Sequence, residues 1–575
     1  MPTQDKSLEN LRHSAAHLLA AAVMELWPDT RRTIGPAIEN GFYFDFEFTQ
    51  PISEGDLPKI EKKMREILPS WDKFSRHLLT AAAARKEYPR NPYKRELIKE
   101  FSRGGKRVSF YKSGNYWDLC RGGHVKSARE INPEAFKLTK VAGAYWRGSE
   151  KNPQLTRIYG VAFNTQAELN QYLKMTGEAE KRDHRILGAE LKLFTFSDLV
   201  GPGLPLWLPR GTVIRDVIEE RAKKVETEWG YQRVATPHIA KEELYKTSGH
   251  IPYYADSMYP PMKLDDGNYY LKAMNCPHTH MIYKAEPHSY RDLPLRYAEY
   301  GTVYRYELSG TLSGLLRVRG FTQNDAHIYC REDQAEEEFL KVMKLHEYWY
   351  KEIFGVTDFY MRLSLPAKDK KKYIDMPKGW KKSVEIVQSA MQKSGLRYVE
   401  AEGEAAFYGP KVDFQIKSVI GREETASTNQ LDFLAAERFK LAYTDADGKP
   451  KPVFVIHRAP LGSHERFIGF LIEHYAGAFP FWLAPVQAVI LTLNDKNKPY
   501  VDSVAKTLRE KGIRLEIDER NESIGKKVRD AELQKIPYLL VIGDREAAAK
   551  TVAVRERGKG DLGAEPLEAF LKRAL

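Results

Sequence analysis

The chain runs to 575 residues, 42% hydrophobic and 29% charged, with a net charge of +12; that gives room for two to four domains and excludes a disordered or fibrous make-up. Its three cysteines, Cys120, Cys276 and Cys330, exclude a disulfide scaffold and fit a reducing compartment, while the basic balance suits a polyanionic partner. The longest apolar stretch, 479–493, is broken by Pro480, Pro485 and Gln487, and the start of the chain has neither an apolar signal core nor a transit pattern, so a cytoplasmic, membrane-free protein is expected.

Residues 8–27 (LENLRHSAAHLLAAAVMELW) are rich in Ala and Leu and stop at Pro28, which predicts a helix. His13 and His17 sit four apart and so share one face of it. A short aromatic strand is expected over 41–46. Further on, WDLCRGGH supplies Asp118, Cys120 and His124. Two histidines on a helix face, with a Cys–His pair at four-residue spacing, suit a zinc site; they equally suit core histidines that simply hydrogen-bond. Residues 167–195 combine helical periodicity with many charges, the mark of a solvated connector. Gly201-Pro-Gly203-Leu-Pro205 signals a domain boundary or tight turn, and 211–237 reads as an amphipathic helix followed by a strand.

Between 291 and 330 two runs, 295–306 and 321–329, alternate apolar and polar residues as half-buried strands do. A solvated hairpin would look the same. After Pro485 the composition changes. Strands at 486–493, 515–518 and 537–543 alternate with helices at 500–511 and 524–535, predicting a small α/β domain with a mostly parallel sheet. Internal repeats, low-complexity tracts, a Walker A loop and a Rossmann glycine fingerprint are all absent from the sequence.

Arg305, followed at two residues by Glu307 and across a glycine-bearing loop by Arg317, resembles the second signature motif of class II aminoacyl-tRNA synthetases. Residues 453–473 (VFVIHRAPLGSHERFIGFLIE), with Arg466 at the helix start, resemble the third motif. Residues 211–237, ending at Pro237, resemble the first, which builds a dimer interface. Within that class, MNCP (274–277), RGFTQNDAH (319–327), FYGPK (407–411), QLDF (430–433) and IHRAPLGSHERF (456–467) are similar to the threonyl-tRNA synthetases of bacterial type. The HIGH/KMSKS pair of class I is missing.

The resemblance covers the chain from about Leu8 onward. It implies a multidomain α+β fold: an N-terminal α+β editing domain (1–180), a connector helix (181–200), a class II antiparallel-sheet catalytic domain (201–482) and a C-terminal α/β anticodon-binding domain (483–575). Many relatives carry a further small domain ahead of the His13 helix, which the twelve residues before His13 cannot supply. The implied activity is activation of L-threonine with ATP to threonyl-adenylate and transfer to tRNA(Thr) by a homodimer.

By the same resemblance, Arg305 grips the α-phosphate of ATP, Arg317 and Arg466 the distal phosphates, and Glu307 and Phe321 the adenine, with Mg²⁺ bridging phosphates; Lys411 belongs to the same catalytic set. A guanidinium suits this work because it stays charged and binds phosphate oxygens bidentately. Cys276, His327 and His457 match the ligands of one Zn²⁺ per subunit, and a thiolate with two imidazoles leaves an open position for the amino group and hydroxyl of threonine. Asp325 is expected to accept from that hydroxyl, with Gln323, Tyr408 and Gln430 lining the pocket. A site built for the hydroxyl can reject valine by roughly 10⁴-fold or more, whereas serine lacks only a methyl worth about 1–3 kcal/mol and needs a second sieve.

HSAAHLLAAAV and DLCRGGH resemble that sieve, the editing domain, where His13, His17, Asp118, Cys120 and His124 position a water that clears Ser-tRNA without a metal; Lys94 in NPYKREL matches a lysine of the same pocket. A zinc-bound variant remains an alternative here. The family has proline where this chain has Gly123, which puts the stiffness of the loop in question. Asn521, Glu546 and Arg555 fall where the family contacts anticodon bases. Two rival readings are another class II synthetase of the same subgroup, prolyl or seryl, and a non-catalytic RNA-binding paralogue. The zinc-ligand set and editing signature oppose the first, and the three arginines oppose the second.

Overall fold

The computed structural model describes residues 6–149, 151–367, 373, 375–417 and 423–575. The chain divides into two compact units, Met1–Gly177 and Glu178–Leu575.

The first unit is built around α1 (Lys6–Leu26), the helix expected from the Ala-rich run. Its middle is buried on every side, because Ala15, Ala16, Ala20 and Ala22 are small enough for neighbours to close in. Strand β1 (Gly41–Glu47) sends Phe42, Phe44 and Phe46 into that core, together with Ile60 and Met64 of α2 (Leu57–Ile67). Helix α3 (Pro92–Phe101) follows, and then a three-stranded sheet that includes β2 (Val108–Ser113) and β3 (Tyr116–Leu119). Strands β4 (Phe136–Tyr145) and β5 (Gln154–Ala162) complete a five-stranded sheet with β1. The helical periodicity of 167–195 resolves into two helices, α4 (Gln166–Arg182) and α5 (His184–Glu190). The break falls at Asp183, whose side chain caps α5 by accepting from the Arg185 N–H.

In the second unit, α6 (Pro209–Glu228) and α7 (Cys276–Lys284) precede an eight-stranded sheet. Its strands are β6 (Leu295–Tyr304), β7 (Gly320–Cys330), β8 (Phe359–Leu365), β9 (Tyr398–Glu402), β10 (Lys411–Lys417), β11 (Glu423–Asp432) and β12 (Phe454–Ala459), with a two-residue strand at Gln232–Arg233. They lie in the order Gln232–Arg233, β6, β7, β12, β11, β10, β8, β9. Only the two outermost pairings are parallel, so the expected antiparallel core is present. Helix α8 (His464–His474) follows β12.

One face of this sheet is packed by Ile214, Ile218, Ala222 and Val225 of α6 against Ala326, Ile328 and Ile456. Two charged residues sit inside that apolar layer. Arg458 of β12 and Glu226 of α6 are both almost fully buried and pair at 2.8 Å, with the guanidinium 4.2 Å over the ring of Tyr231.

The last sheet contains β13 (Ala488–Thr492), β14 (Leu515–Asp518), β15 (Tyr538–Ile542), β16 (Thr551–Glu556) and β17 (Gly560–Pro566), with α9 (Lys498–Glu510) and α10 (Ile524–Leu533) between the first three. β13 pairs in parallel with β14 and β15, as predicted, but β16 and β17 add two antiparallel pairings. The sheet is therefore mixed rather than mostly parallel. A hairpin turn at Arg557–Lys559 needs no helical crossover, so the helix–strand rhythm used for the prediction gave no sign of it.

Removing one member of a buried ion pair leaves the other charge uncompensated, at a cost of roughly 3–5 kcal/mol. Glu226→Gln is therefore expected to lower the urea unfolding free energy by about that amount; a loss below about 1 kcal/mol would mean the pair is solvent-screened.

Candidate active site

Strand register assembles the open face of the large sheet. His327 on β7 lies directly opposite His457 on β12, His457 opposite Gln430 on β11, and Gln430 opposite Lys411 on β10. Four residues far apart in sequence thus form one row across four strands. The two-residue period of β7 adds Gln323 and Asp325 to the face that carries His327. Helix α7 begins at Cys276 and brings its sulfur to the same place. The ligand atoms of Cys276, His327 and His457 lie within 4.8 Å of one another.

This cluster has the features of a cation site. His327 is 1% exposed, yet neither of its ring nitrogens has a partner, a costly arrangement for a buried polar group. His457 Nε2 lies 3.0 Å from Asp432 Oδ2, the kind of carboxylate that orients an imidazole in a metal site. Burial pulls the His457 pKa down, but the bonds to Asp432 and Cys276 outweigh it and raise it to about 10. Beside the cluster opens a cavity of about 540 Å³ lined by Cys276, Gln323, Asp325, Tyr408, Gln430 and His457. Burial raises the Asp325 pKa although Asn275 Nδ2 donates to it at 3.0 Å. The Tyr408 hydroxyl donates to Gln430.

A second cavity of about 310 Å³ shares Arg305, Gln323, Lys411 and Gln430 with the first and adds Glu307, Arg317, Phe321 and Arg466. Arg305 stacks 5.0 Å over the Phe321 ring, Arg317 pairs with Glu307 at 2.9 Å, and Arg466 Nε donates to the Leu316 carbonyl at 3.0 Å. Burial lowers the Arg466 pKa. Three guanidiniums and an ammonium lining so small a space suit a multiply charged anion.

In the first unit, the donor atoms of His13, His17, Cys120 and His124 also lie within 4.8 Å of one another. The surrounding bonds fix the tautomers. His13 Nδ1 donates to the Gly123 carbonyl at 3.1 Å. The Ser14 hydroxyl donates its one proton to the Asn10 carbonyl, so at 3.2 Å His124 Nδ1 must donate to Ser14 Oγ. Both rings then direct an Nε2 lone pair at Cys120 Sγ, at 3.5 and 3.4 Å. Burial lowers the pKa of His13 and of His17, takes that of His124 to about 3, and raises that of Cys120 to about 11. Burial thus favours neutral imidazoles and a protonated thiol in this cluster.

Asp118 and Lys94 are not in that ring of donors. They pair with each other at 2.8 Å, and Asp118 also lies 3.3 Å from Arg32 and accepts from Tyr88 (2.5 Å) and Tyr116 (2.9 Å). Burial pushes the Asp118 carboxyl up, but Lys94 and Arg32 hold it below the usual range. Gly123 has φ +89°, which no proline can adopt, and its carbonyl is held by His13. The loop at this glycine is tethered by the His13 bond.

Asn521 lies in the loop between β14 and α10, Glu546 in the first turn of the helix after β15, and Arg555 on β16. No hydrogen bond or ion pair among the described residues joins any two of them. Glu546 caps its own helix by accepting from the Gly543 N–H at 2.8 Å, and Arg555 lies 3.4 Å from Asp561.

Residues 261–475 match the tRNA synthetase class II core domain (G, H, P, S and T), residues 487–574 the anticodon binding domain, and residues 108–159 the threonyl and alanyl tRNA synthetase second additional domain. The threonine–tRNA ligase of Anoxybacillus flavithermus is 49% identical across 99% of this chain and 89% of its own length. One from Thermus thermophilus is 49% identical across 98% of this chain and 88% of its length. This chain belongs to the threonine–tRNA ligase family. A crystal structure of the RNA binding domain of threonyl-tRNA synthetase from Cryptosporidium parvum superposes with a TM-score of 0.65 at 35% identity, covering 68% of this chain and 97% of that one.

Against this family background, several contributing residues escaped the sequence reading. Asp432 and Asn275 stand inside QLDF and MNCP, so their motifs contained the signal. Ser14 stands inside HSAAHLLAAAV in the same way and Tyr116 only two residues from Asp118, whereas Arg32 and Tyr88 had no such signal, since each reaches Asp118 from a distant part of the sequence.

The buried histidines make the first unit sensitive to acid. The folded His124 pKa near 3 lies below the ordinary 6.5, so between these values the unfolded chain binds more protons and stability rises with pH. His13 and His17 shift the same way. Thermal melts are expected to move down as pH falls from 7.5 to 5.5, chiefly below 6.5; an unchanged melting temperature would count against neutral imidazoles in the fold.

Proposed function

We propose that this chain joins L-threonine to tRNA(Thr) at the expense of ATP, and that it clears Ser-tRNA(Thr) in its first unit. The observation that carries the reading is the adjacency of two cavities, one bordered by Cys276 and His457 of the Cys276–His327–His457 cluster, the other by Arg305, Arg317 and Arg466. They share a wall at Arg305, Gln323, Lys411 and Gln430. An amino-acid carboxylate in the first would face an α-phosphorus in the second.

The carboxylate oxygen attacks that phosphorus in line, the bond to pyrophosphate breaks, and threonyl-adenylate forms. A hydroxyl of the terminal tRNA ribose then attacks the acyl carbonyl and AMP leaves. Neither step needs a protein nucleophile, so positioning and charge neutralisation supply the rate. Arg305 serves the α-phosphate, Arg317 and Arg466 the distal phosphates carried with Mg²⁺, and Phe321 and Glu307 the adenine. Lys411 adds positive charge at the shared wall. Cys276, His327 and His457 fit a zinc ion, which when bound supplies a Lewis-acidic open position for the amino group and hydroxyl of threonine. The orphaned nitrogens of His327 support that fit. Asp325 accepts from the substrate hydroxyl, and Gln323, Tyr408 and Gln430 shape the pocket.

The tautomers of His13 and His124 suit the editing role. Their Nε2 lone pairs can accept protons from a water attacking the seryl ester, while His17 lines the same space and the protonated Cys120 is no nucleophile. Lys94 and Asp118 hold β3 and the approach to the pocket. We assign residues 1–180 to editing, 181–200 to the connector, 201–482 to synthesis and 483–575 to anticodon binding, with Asn521, Glu546 and Arg555 meeting the bases. A cytoplasmic homodimer completes the reading. Supporting the dimer, Leu199 is fully exposed beside the exposed Phe196, Val200 and Leu206 ahead of α6; among the described residues no helix is long and apolar enough to cross a membrane.

The deciding experiment is ATP–pyrophosphate exchange across the twenty amino acids, with metal analysis of the purified protein. Strong exchange with threonine, weaker with serine and none with valine is expected, with about one zinc per chain; exchange with no amino acid would overturn the reading. Cys276→Ser should lose both the zinc and the threonine-dependent exchange. His13→Ala combined with His17→Ala should keep threonine charging while Ser-tRNA(Thr) accumulates, and unchanged clearance would remove the editing role.

A further inference from the structure

The loop that carries Arg317 is held at three consecutive residues by three different elements. The Leu315 N–H donates to His184 Nε2 at 3.0 Å, the Leu316 carbonyl accepts from Arg466 Nε at 3.0 Å, and Arg317 pairs with Glu307 at 2.9 Å. Arg466 and Glu307 belong to the nucleotide cavity. His184 does not: it is the first residue of α5 and is 2% exposed.

Both nitrogens of that imidazole are used, and the partners dictate how. Nδ1 lies 2.7 Å from Glu473 Oε1 on α8, which as a carboxylate accepts, while the backbone N–H of Leu315 can only donate. The ring is therefore the Nδ1–H tautomer, with its Nε2 lone pair aimed at the loop. The loop comes unusually close. Gly314 has φ +49°, and a Cβ there would stand 2.1 Å from His184 Nε2. Leu315 is fully buried, so its N–H would lose its partner if the ring were removed, and the peptide would have to move to find another.

We propose that His184, oriented by Glu473, is a positioning residue for ATP: it fixes the Leu315 peptide so that Arg317 enters the nucleotide cavity at the right place. A guanidinium that must search for its phosphate loses part of the benefit of preorganisation, and the loss falls on nucleotide affinity rather than on threonine. The proposal rests on reading the Arg317 cavity as the ATP site.

The test is threonine-dependent ATP–pyrophosphate exchange with the full chain, measuring KM for ATP and for threonine separately. In His184→Asn the amide nitrogen stands near Nδ1 and keeps the Glu473 bond, but nothing accepts from Leu315. In His184→Gln the carbonyl oxygen reaches the Nε2 position and restores that acceptor. The Asn variant should raise KM for ATP about five- to tenfold with KM for threonine changed less than about twofold, and the Gln variant should recover most of the loss, as expected for one hydrogen bond. Equal shifts in both variants, no shift in KM for ATP, or a matching rise in both KM values would overturn the proposal. Arg317→Ala separates the two readings. If it leaves KM for ATP unchanged, the nucleotide assignment falls; if it raises KM for ATP while His184→Asn does not, only the His184 role falls. Should His184→Asn not fold, Glu473→Ala carries the test. Freeing the other tautomer must then raise KM for ATP, and an unchanged value overturns the proposal.

Discussion

The catalytic face depends on a single constraint, the register of β7, β12, β11 and β10. In that register His327, His457, Gln430 and Lys411 stand in one row. A slip of one residue in any strand would turn its side chains to the opposite face. On β12 the consequence would be severe, because His457 and Arg458 are neighbours facing opposite ways. His457 belongs to the cluster with Cys276 and His327, and Arg458 lies against Glu226. Reversing them would put a guanidinium among the donors and an imidazole beside a buried carboxylate. The Arg458–Glu226 pair thus stands where a one-residue slip of β12 would separate its two charges.

The same logic of buried polar groups with defined partners runs through the molecule. Asp118 accepts from two tyrosines and pairs with Lys94 and Arg32. His184 divides its two nitrogens between a carboxylate and a backbone N–H. In each case satisfied hydrogen bonding makes burial tolerable and fixes one orientation. His327 differs from these, with both nitrogens orphaned, as are those of His278.

The two units address one chemical difficulty from opposite sides. A pocket that binds a hydroxyl excludes valine but not serine, since a single methyl contributes too little for rejection. The first unit gathers His13, His17 and His124 around Cys120, where burial favours neutral imidazoles and a protonated thiol. Burial produces both states. Around His13, His17 and His124 it outweighs what opposes it, Glu9 and Asp118 beside His13 included, whereas at His457 the bonds to Asp432 and Cys276 reverse its sign.

The sequence by itself determined a good deal. Alternation marked β6 and β7 within two residues of their ends, the Ala-rich run before Pro28 marked α1, and ordered motifs named the side chains that line both cavities. These are local properties, carried by propensity, period and contiguous strings. What only the tertiary structure decided is non-local. That Cys276, His327 and His457 meet depends on strand register, which no spacing in the sequence encodes. Arg32 and Tyr88 acquire a role only through Asp118, and the hairpin of β16 and β17 follows a turn that helix–strand rhythm cannot reveal. The tautomers of His13 and His124, and the left-handed turn at Gly123, are set by partners that folding delivers. Local periodicity is written in neighbouring residues, whereas a hydrogen bond between distant ones exists only once the chain has closed around it.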